Sequence, residues 1–413
     1  MKSYFPGATL CLLLFAGLGL ADDFPQWRGP NRDGVLPPSV LPKPFPKELK
    51  KLWTVKVGVG HSSPVVVAGK VYMFARNNDK DTEVLRCLEL KSGNEVWAES
   101  YPAPYKMAGA ARGFGKGPRS TPVVADGKVF TLGVSGILTA YDAKSGKGLW
   151  QHTFDKVFPA TSATYGSSMS PIVYGKTVIA HVGGPKGGEL AAFNMTDGKK
   201  VWSWDGDGPG YASPIIFKAG GMDRLVTQSQ QHIIAVNPKD GKLLWKLPFK
   251  TAYNQNIVTP VRFKTRIIIS GTGKGTSAIG LDATEQSLPG QTWHNDMSQY
   301  MSSPVISGAV LFGFSEKKRG TLFCANVGDG KVYWKSEGGL GQNAAILVSG
   351  DRVLVLTNKG QLLVVANDKS ALKILSRHKV ADSSTFATPA IADGKLLIKD
   401  EDSLICYALT GKE

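Results

Sequence analysis

TPVVADGKVFTLGVSGILTAYDAKSGKGLW, residues 121–150, is the stretch that decides how this chain folds. It opens on Thr121-Pro122, passes through short runs of alternating β-branched and aromatic residues separated by glycine, and closes on Trp150 after a Ser145-Gly146-Lys147 turn. Alternation with a period of two, broken by glycine, spells antiparallel strands joined by tight turns. Proline has no amide to give to a sheet ladder, so Pro122 belongs at a strand start or on an edge. The unit is four short strands, with no helical spacing in it.

Both ends of this unit recur. The opening phrase returns as Ser63-Pro64-Val65-Val66, Ser170-Pro171-Ile172-Val173, Ser213-Pro214-Ile215-Ile216, Thr259-Pro260-Val261, Ser303-Pro304-Val305-Ile306 and Thr388-Pro389-Ala390-Ile391. Asn343-Ala344-Ala345-Ile346 is a degenerate copy without proline. The closing phrase leads from Ser92-Gly93-Asn94 to Trp97, Asp197-Gly198-Lys199 to Trp202, Asp240-Gly241-Lys242 to Trp245 and Asp329-Gly330-Lys331 to Trp334, with a looser version ending at Trp293. Successive tryptophans lie about 40 to 53 residues apart, the period of propeller blades. A sandwich does not explain one proline and one tryptophan per period, whereas radial repetition does. The last unit, beginning at Phe386, stops at Thr410-Gly411-Lys412-Glu413 without a tryptophan strand. The missing strand is residues 49–55, which contain Trp53. The expected fold is therefore all-β: an eight-bladed β-propeller of four-stranded antiparallel blades, closed by an N-terminal strand that completes the C-terminal blade. Closure matters, because an open ring leaves two sheet edges unpaired.

A length of 413 residues would ordinarily suggest two or three domains, but a closed ring can absorb them in one. The division read here is a signal peptide at 1–21, a proline-rich N-terminal strap at 22–48 and the propeller at 49–413. Lys2, the apolar run 8–20 and Gly19-Leu20-Ala21 have the order of an export signal with its cleavage site. The run is shorter than the ~20 residues a spanning helix needs, so no transmembrane segment is expected after cleavage. Cys11 lacks a lipoprotein context, and the expected location is secreted or periplasmic. The stretch 25–46 reads as an extended strap across the ring, anchored by Trp27 and Phe45, or alternatively as a docking peptide. The formal charge of +16 is dispersed, with many lysines in turn triplets, which argues for a solvated basic surface and against nucleic acid. An acidic glycan remains open as a partner, and the expected state is a monomer. Cys87, Cys324 and Cys406 stand in similar strand contexts, as small buried residues at one repeated position; a Cys87–Cys406 bridge between neighbouring blades is the alternative.

The glycine–tryptophan end of one unit joined to the Ser/Thr-Pro-Val-Val start of the next resembles the pyrroloquinoline-quinone (PQQ) propeller repeat, over about residues 49–412. Phe24-Pro25-Gln26-Trp27-Arg28-Gly29-Pro30-Asn31-Arg32-Asp33-Gly34 is similar to the leader of many secreted bacterial propellers with this repeat. The resemblance implies one of two roles. Quinoprotein alcohol dehydrogenases bind PQQ and calcium on the propeller axis, with a disulfide between adjacent cysteines, a tryptophan beneath the quinone and an aspartate base. The BamB lipoproteins of outer-membrane assembly use the ring as a protein-binding platform. This sequence departs from the first pattern: it has no adjacent cysteines and no Cys-x-x-Cys-His for haem. The segments 101–118, 246–256 and 338–343 that should form the channel mouth carry no carboxylate. Asp155, Asp205, Asp207, Asp296 and Asp382 lie in other connecting loops without forming a recognisable pair.

His61, His152, His181, His232, His294 and His378 show no metal-ligand spacing, and there is no Gly-x-Ser-x-Gly. Gly271-Thr272-Gly273-Lys274-Gly275 lacks the strand-to-helix setting of a phosphate loop and reads as a turn. What remains is the channel mouth, where His61, Arg119, Tyr211, Asn256, Tyr300 and Asn343 fall at or just before first strands. They either ring a small-ligand site or plug a water-filled channel. Residues 112–119 add positive charge and backbone amides suited to an anion. The expectation is an exported, non-catalytic scaffold that binds a ligand or protein in the cell envelope, with no catalytic or metal residues and no required cofactor. The alternative is a PQQ-dependent oxidoreductase with a divergent site, for which PQQ with calcium is disfavoured.

Overall fold

Residues 121–150 form the four strands their pattern spells: Val123–Ala125, Lys128–Leu132, Leu138–Asp142 and Gly148–His152, antiparallel and in chain order. In the computed structural model, which describes residues 23–281 and 290–409, this sheet is blade 2 of eight. The export-signal reading at 1–21 and the final turn at 410–413 lie outside the described residues. Blade 1 starts at Val65–Val67, and the innermost strands of blades 3 to 6 are Ile172–Tyr174, Ile215–Ala219, Val261–Phe263 and Val305–Ser307. Blade 7 runs from Ala344–Ser349 to Ile374–Lys379. Blade 8 takes Ala390–Ala392, Lys395–Lys399 and Ser403–Ala408 from the end of the chain and Lys50–Lys56 from its beginning. Trp53 lies opposite Cys406 and Thr54 opposite Ile405, so the two ends of the chain close the ring in one sheet.

The glycine turns and the tryptophans are one motif split between neighbours. The Trp97 indole of blade 1 donates to the Ala143 carbonyl of blade 2, and Trp150 of blade 2 donates to Met195 of blade 3. Each ring lies flat on the next blade's turn: a Cβ on Gly146 would sit 2.7 Å from Trp97, and one on Gly198 2.7 Å from Trp150. Both glycines also have φ near +75°, so close approach and backbone both demand glycine. Beneath each tryptophan the third strand offers a small residue, Ala140 under Trp150 and Cys87, Cys324 and Cys406 under Trp97, Trp334 and Trp53. All three cysteines are buried thiols, which overturns the Cys87–Cys406 bridge: the slot selects for size. Burial holds the Cys87 thiol up at about 11 and that of Cys324 at about 12, so neither is a ready nucleophile. Truncating one of these tryptophans to alanine costs about 3–5 kcal/mol by the cavity it leaves.

Blade 7 is the exception, and topology gives the reason. Blade 8 draws its third and fourth strands from opposite ends of the chain, so it has no hairpin turn there for a tryptophan to cover. Blade 7 accordingly carries Ser376 opposite Val364, in the tryptophan slot.

The hydroxyls of the opening phrase have a purpose that periodicity does not reveal. The amide of Ser63 donates to Thr121 Oγ1, that of Thr121 to Ser170 Oγ, that of Ser170 to Ser213 Oγ and that of Ser213 to Thr259 Oγ1, each at 3.0 Å. Thr259 continues the chain to Ser303, and Thr388 of blade 8 closes onto Ser63. Seven blades are laced through their innermost strands; in blade 7 the register puts Ala345, two residues beyond the Asn343 expected from the repeat, in this slot, and it drops out of the lace, its Ala344 amide donating to Ser302 Oγ instead.

The leader is not the extended strap that its prolines suggest. Only Val35–Leu36 is strand, added parallel to Val348–Ser349 as a fifth strand of blade 7. Before it, residues 26–34 fold into turns that fill the channel end opposite the mouth. Phe24 bridges Val66, and the Pro25 carbonyl accepts from Val124. Arg32 then donates through all three side-chain nitrogens, to the carbonyls of Ser170, Pro171 and Pro214 among others, and Arg28 reaches Pro304. The physical cause is a supply of inward carbonyls at the strand starts, which a guanidinium can satisfy and a polyproline helix cannot. Farther on, Phe45 packs against the His378 ring at 5.6 Å.

Candidate functional site

The segments that enter the innermost strands converge on the open end of the channel and enclose a cavity of about 140 Å³. Its wall takes residues from all eight blades, and Trp27 of the leader reaches it from the filled end. Of the residues expected there, His61, Arg119, Tyr211, Tyr300 and Asn343 line the cavity. Asn256 does not. It is fully buried, accepting from Thr251 and donating to the carbonyls of Ser229 and Phe249. Its own carbonyl receives the amides of Tyr211 and Ala212, so it places Tyr211 rather than facing a ligand. Phe114, Tyr165 and Phe386 complete the aromatic wall. Phe114 and Tyr165 sit in connecting loops of unequal length, at no fixed offset from the proline; Phe386, three residues before Pro389 like Arg119 before Pro122, was a signal that sequence reasoning passed over.

Arg119 is the cavity's cation. Nη2 donates to the Gly115 carbonyl at 2.9 Å, while Nη1 is buried without a hydrogen-bond partner. Burial lowers its pKa, and no carboxylate stands among the lining residues to oppose that. Of the basic loop 112–119, only Phe114 and Arg119 reach the cavity; Lys116 lies 3.8 Å from Asp81 instead. His61 stacks on Phe386 at 4.5 Å. Burial first, then the nearby charges of Arg119 and Lys399, depress its pKa to about 3. Lys399 is 1% exposed, with its ammonium on the carbonyls of Asp400 and Glu401, and burial lowers it to about 8. Tyr211 accepts from the Tyr165 amide, and burial raises its phenol to about 12, so it remains a neutral hydroxyl.

This arrangement can bind but is poorly equipped for acid–base chemistry. A base effective near neutrality needs a pKa close to 7, and an imidazole held near 3 is far from it. Among the described residues, no group of His, Cys, Asp and Glu is placed to hold a metal ion. Outside the cavity, Ser229, Asp207 and His232 superficially suggest a triad. Ser229 Oγ and His232 Nδ1 both bond the same carboxylate oxygen of Asp207, at 2.6 and 2.8 Å. A catalytic base must touch its nucleophile, whereas here the carboxylate pins both and locks a loop.

The family model described as outer membrane protein assembly factor BamB matches residues 80–336. The assembly factor BamB of Yersinia pestis is 21% identical, aligned over 68% of this chain and 72% of its own length. The quinoprotein alcohol dehydrogenase PedH of Pseudomonas putida is 28% identical, but over 40% of this chain and 27% of that protein. The crystal structure of BamB from Moraxella catarrhalis superposes with a TM-score of 0.64 at 13% identity, covering 88% of this chain and 99% of that one. That likeness speaks for the fold alone; the family match, which spans more than half of the 413 residues, goes further. Ring, repeat and match agree: the chain belongs to the outer membrane protein assembly factor BamB family.

Proposed function

We propose that this protein is an exported, non-catalytic propeller of the cell envelope whose mouth face binds a protein partner. The observation that carries this reading is a pair of strongly exposed side chains at the mouth; the less exposed Val96, Leu149, Val201, Met222 and Leu375 lie on outermost strands or on the opposite face. Among the described residues, the two most exposed large hydrophobic side chains are Tyr253, at 81%, and Val157, at 61%. Both stand on loops that enter innermost strands, on the mouth face. Exposed aromatic and aliphatic side chains of this kind are typical interface anchors. The name of the relatives, outer membrane protein assembly factor, supports a partner in that setting.

The quinone alternative has less support. Calcium needs several converging oxygen ligands, usually with carboxylates, and the cavity lining has none. Its volume of about 140 Å³ is close to that of the ~150 Å³ cavities that accept a single benzene ring. A tricyclic quinone with its cation does not fit these residues.

Photo-crosslinkers at Tyr253 and Val157, with Met222 on the opposite face as control, test the reading in cells of the source organism. Discrete adducts with one envelope protein from both mouth positions and none from Met222 are expected. Adducts from Met222 alone, or alcohol oxidation by the purified protein supplied with PQQ and calcium, would overturn it.

A further inference from the structure

The axial cavity has a charge that its own walls leave unanswered. Arg119 is held in place by the Gly115 carbonyl, yet its Nη1 has no partner and no lining carboxylate faces it. Buried Lys399 and, beyond Trp27, Arg28 and Arg32 add further positive charge near the axis. A buried donor left unmade is costly, and a cation in a confined site more so. A second demand comes from Asn343. Its backbone amide faces Asn358 Oδ1 and its carbonyl accepts from the Asn358 amide, which fixes the main chain. Its side-chain Oδ1 is buried without a donor. Between these groups the wall is aromatic, with Trp27, Tyr211, Tyr300 and Phe386.

We propose that the axial cavity binds a small aromatic monocarboxylate bearing a hydroxyl or amino group, with the carboxylate on Arg119 and the donor on Asn343. One guanidinium calls for one carboxylate. The volume, close to that of cavities that hold benzene, calls for one ring, and the orphan amide oxygen calls for a ligand donor. No metal takes part. The ligand lies inside the ring while Tyr253 and Val157 lie outside it, so this binding is independent of the partner reading.

Calorimetric titration of the purified protein with 4-hydroxybenzoate tests the assignment, with benzoate, 4-hydroxybenzyl alcohol and inorganic phosphate as comparisons. A single saturable site for 4-hydroxybenzoate is expected, unaffected by EDTA, with the neutral alcohol weaker by at least about tenfold, the worth of one charge-assisted contact. Arg119→Gln should bring the acid down to the level of the alcohol while leaving the alcohol's own affinity unchanged. Asn343→Leu should bring 4-hydroxybenzoate down to the level of benzoate. No saturable binding, phosphate competing as well as the aromatic acid, or Arg119→Gln weakening acid and alcohol alike would each overturn the proposal. The last result would mean that Arg119 only shapes the loop.

Discussion

The two ends of the channel use the same side chain to opposite effect. At the filled end, Arg32 is 2% exposed and every nitrogen of its guanidinium has a partner, chiefly carbonyls of blades 3 and 4. At the mouth, Arg119 is anchored through one nitrogen and carries another that nothing meets. The filled end has spent Arg32 on the fold, although Arg28 beside it also keeps an Nη1 without a partner, whereas Arg119 stands in the wall of an open cavity. An orphaned donor by itself does not separate the two ends, since Arg28 has one as well; what sets Arg119 apart is that it lines the cavity.

The most drastic way to break the comparison is to open the ring on which both ends depend. Deleting residues 49–55 removes the strand opposite Cys406 and leaves the Ser403–Ala408 strand of blade 8 with a bare edge. The expected outcome is loss of the cooperative monomer. Size-exclusion chromatography with thermal unfolding checks it, and a truncated chain that stays monomeric with a sharp transition would refute the closure.

Exchanging the two arginines tests the contrast directly. Arg32→Met strands three buried carbonyls and should cost about 3–5 kcal/mol in urea unfolding, the range for breaking buried charged contacts. Arg119→Met removes a charge that the cavity does not compensate, and a change within about 1 kcal/mol of the parent is expected. Equal losses at both positions would erase the distinction.

A smaller effect tests the lacing of the inner strands. Thr121→Val keeps shape but deprives the Ser63 amide of its acceptor, at an expected cost of about 1–3 kcal/mol by denaturant unfolding. In blade 7 the equivalent slot is already Ala345, so Ala345→Val, with no hydrogen bond to lose there, should show only the smaller cost of fitting two methyl groups.

These hydroxyls mark the limit of what the sequence discloses. Strand order, glycine turns and tryptophans were legible because each obeys a period, and the ring closure followed because Trp53 stood where the last unit lacked its own. The cavity residues that hold a fixed place before the proline, such as Arg119 and Tyr211, were legible for the same reason. Tyr165 was not, since loop length varies between blades, whereas Phe386 holds the same place, three residues before Pro389, and was there to be read. Asn256 stands one residue too early, four before Pro260, and turns into its own loop, while Ile257 at the matching offset lines the cavity. The leader misled through its prolines. The informative signal was Arg28 and Arg32, each followed within two residues by a glycine at positive φ that turns the chain back on itself.

The least disruptive prediction concerns acid. His61 in the folded protein has a pKa of about 3 and His181 about 4, both pushed down chiefly by burial, against about 6.5 in an unfolded chain. Between those values the unfolded chain takes up a proton that the folded protein refuses. Stability from each histidine is therefore complete above pH 6.5 and drains away as the pH falls, by at most about 1.4 kcal/mol per pH unit for each. Carboxylates with lowered pKa values, such as Asp207, lose their contribution only below about pH 4, outside the interval from pH 7 to pH 5. Glu83, raised by burial, works in the opposite sense, but equally in parent and variant. Urea unfolding at pH 7 and pH 5 should show His61→Gln with a shallower loss than the parent, the gap being one proton's worth. Arg119 adds to the depression of His61 but not to that of His181, yet burial comes first, so Arg119→Met should leave the loss between pH 7 and pH 5 unchanged and lessen only the part lost nearer pH 3. A parent and His61→Gln with the same slope would mean that His61 is protonated within the fold, and that the mouth is wetter than its burial implies.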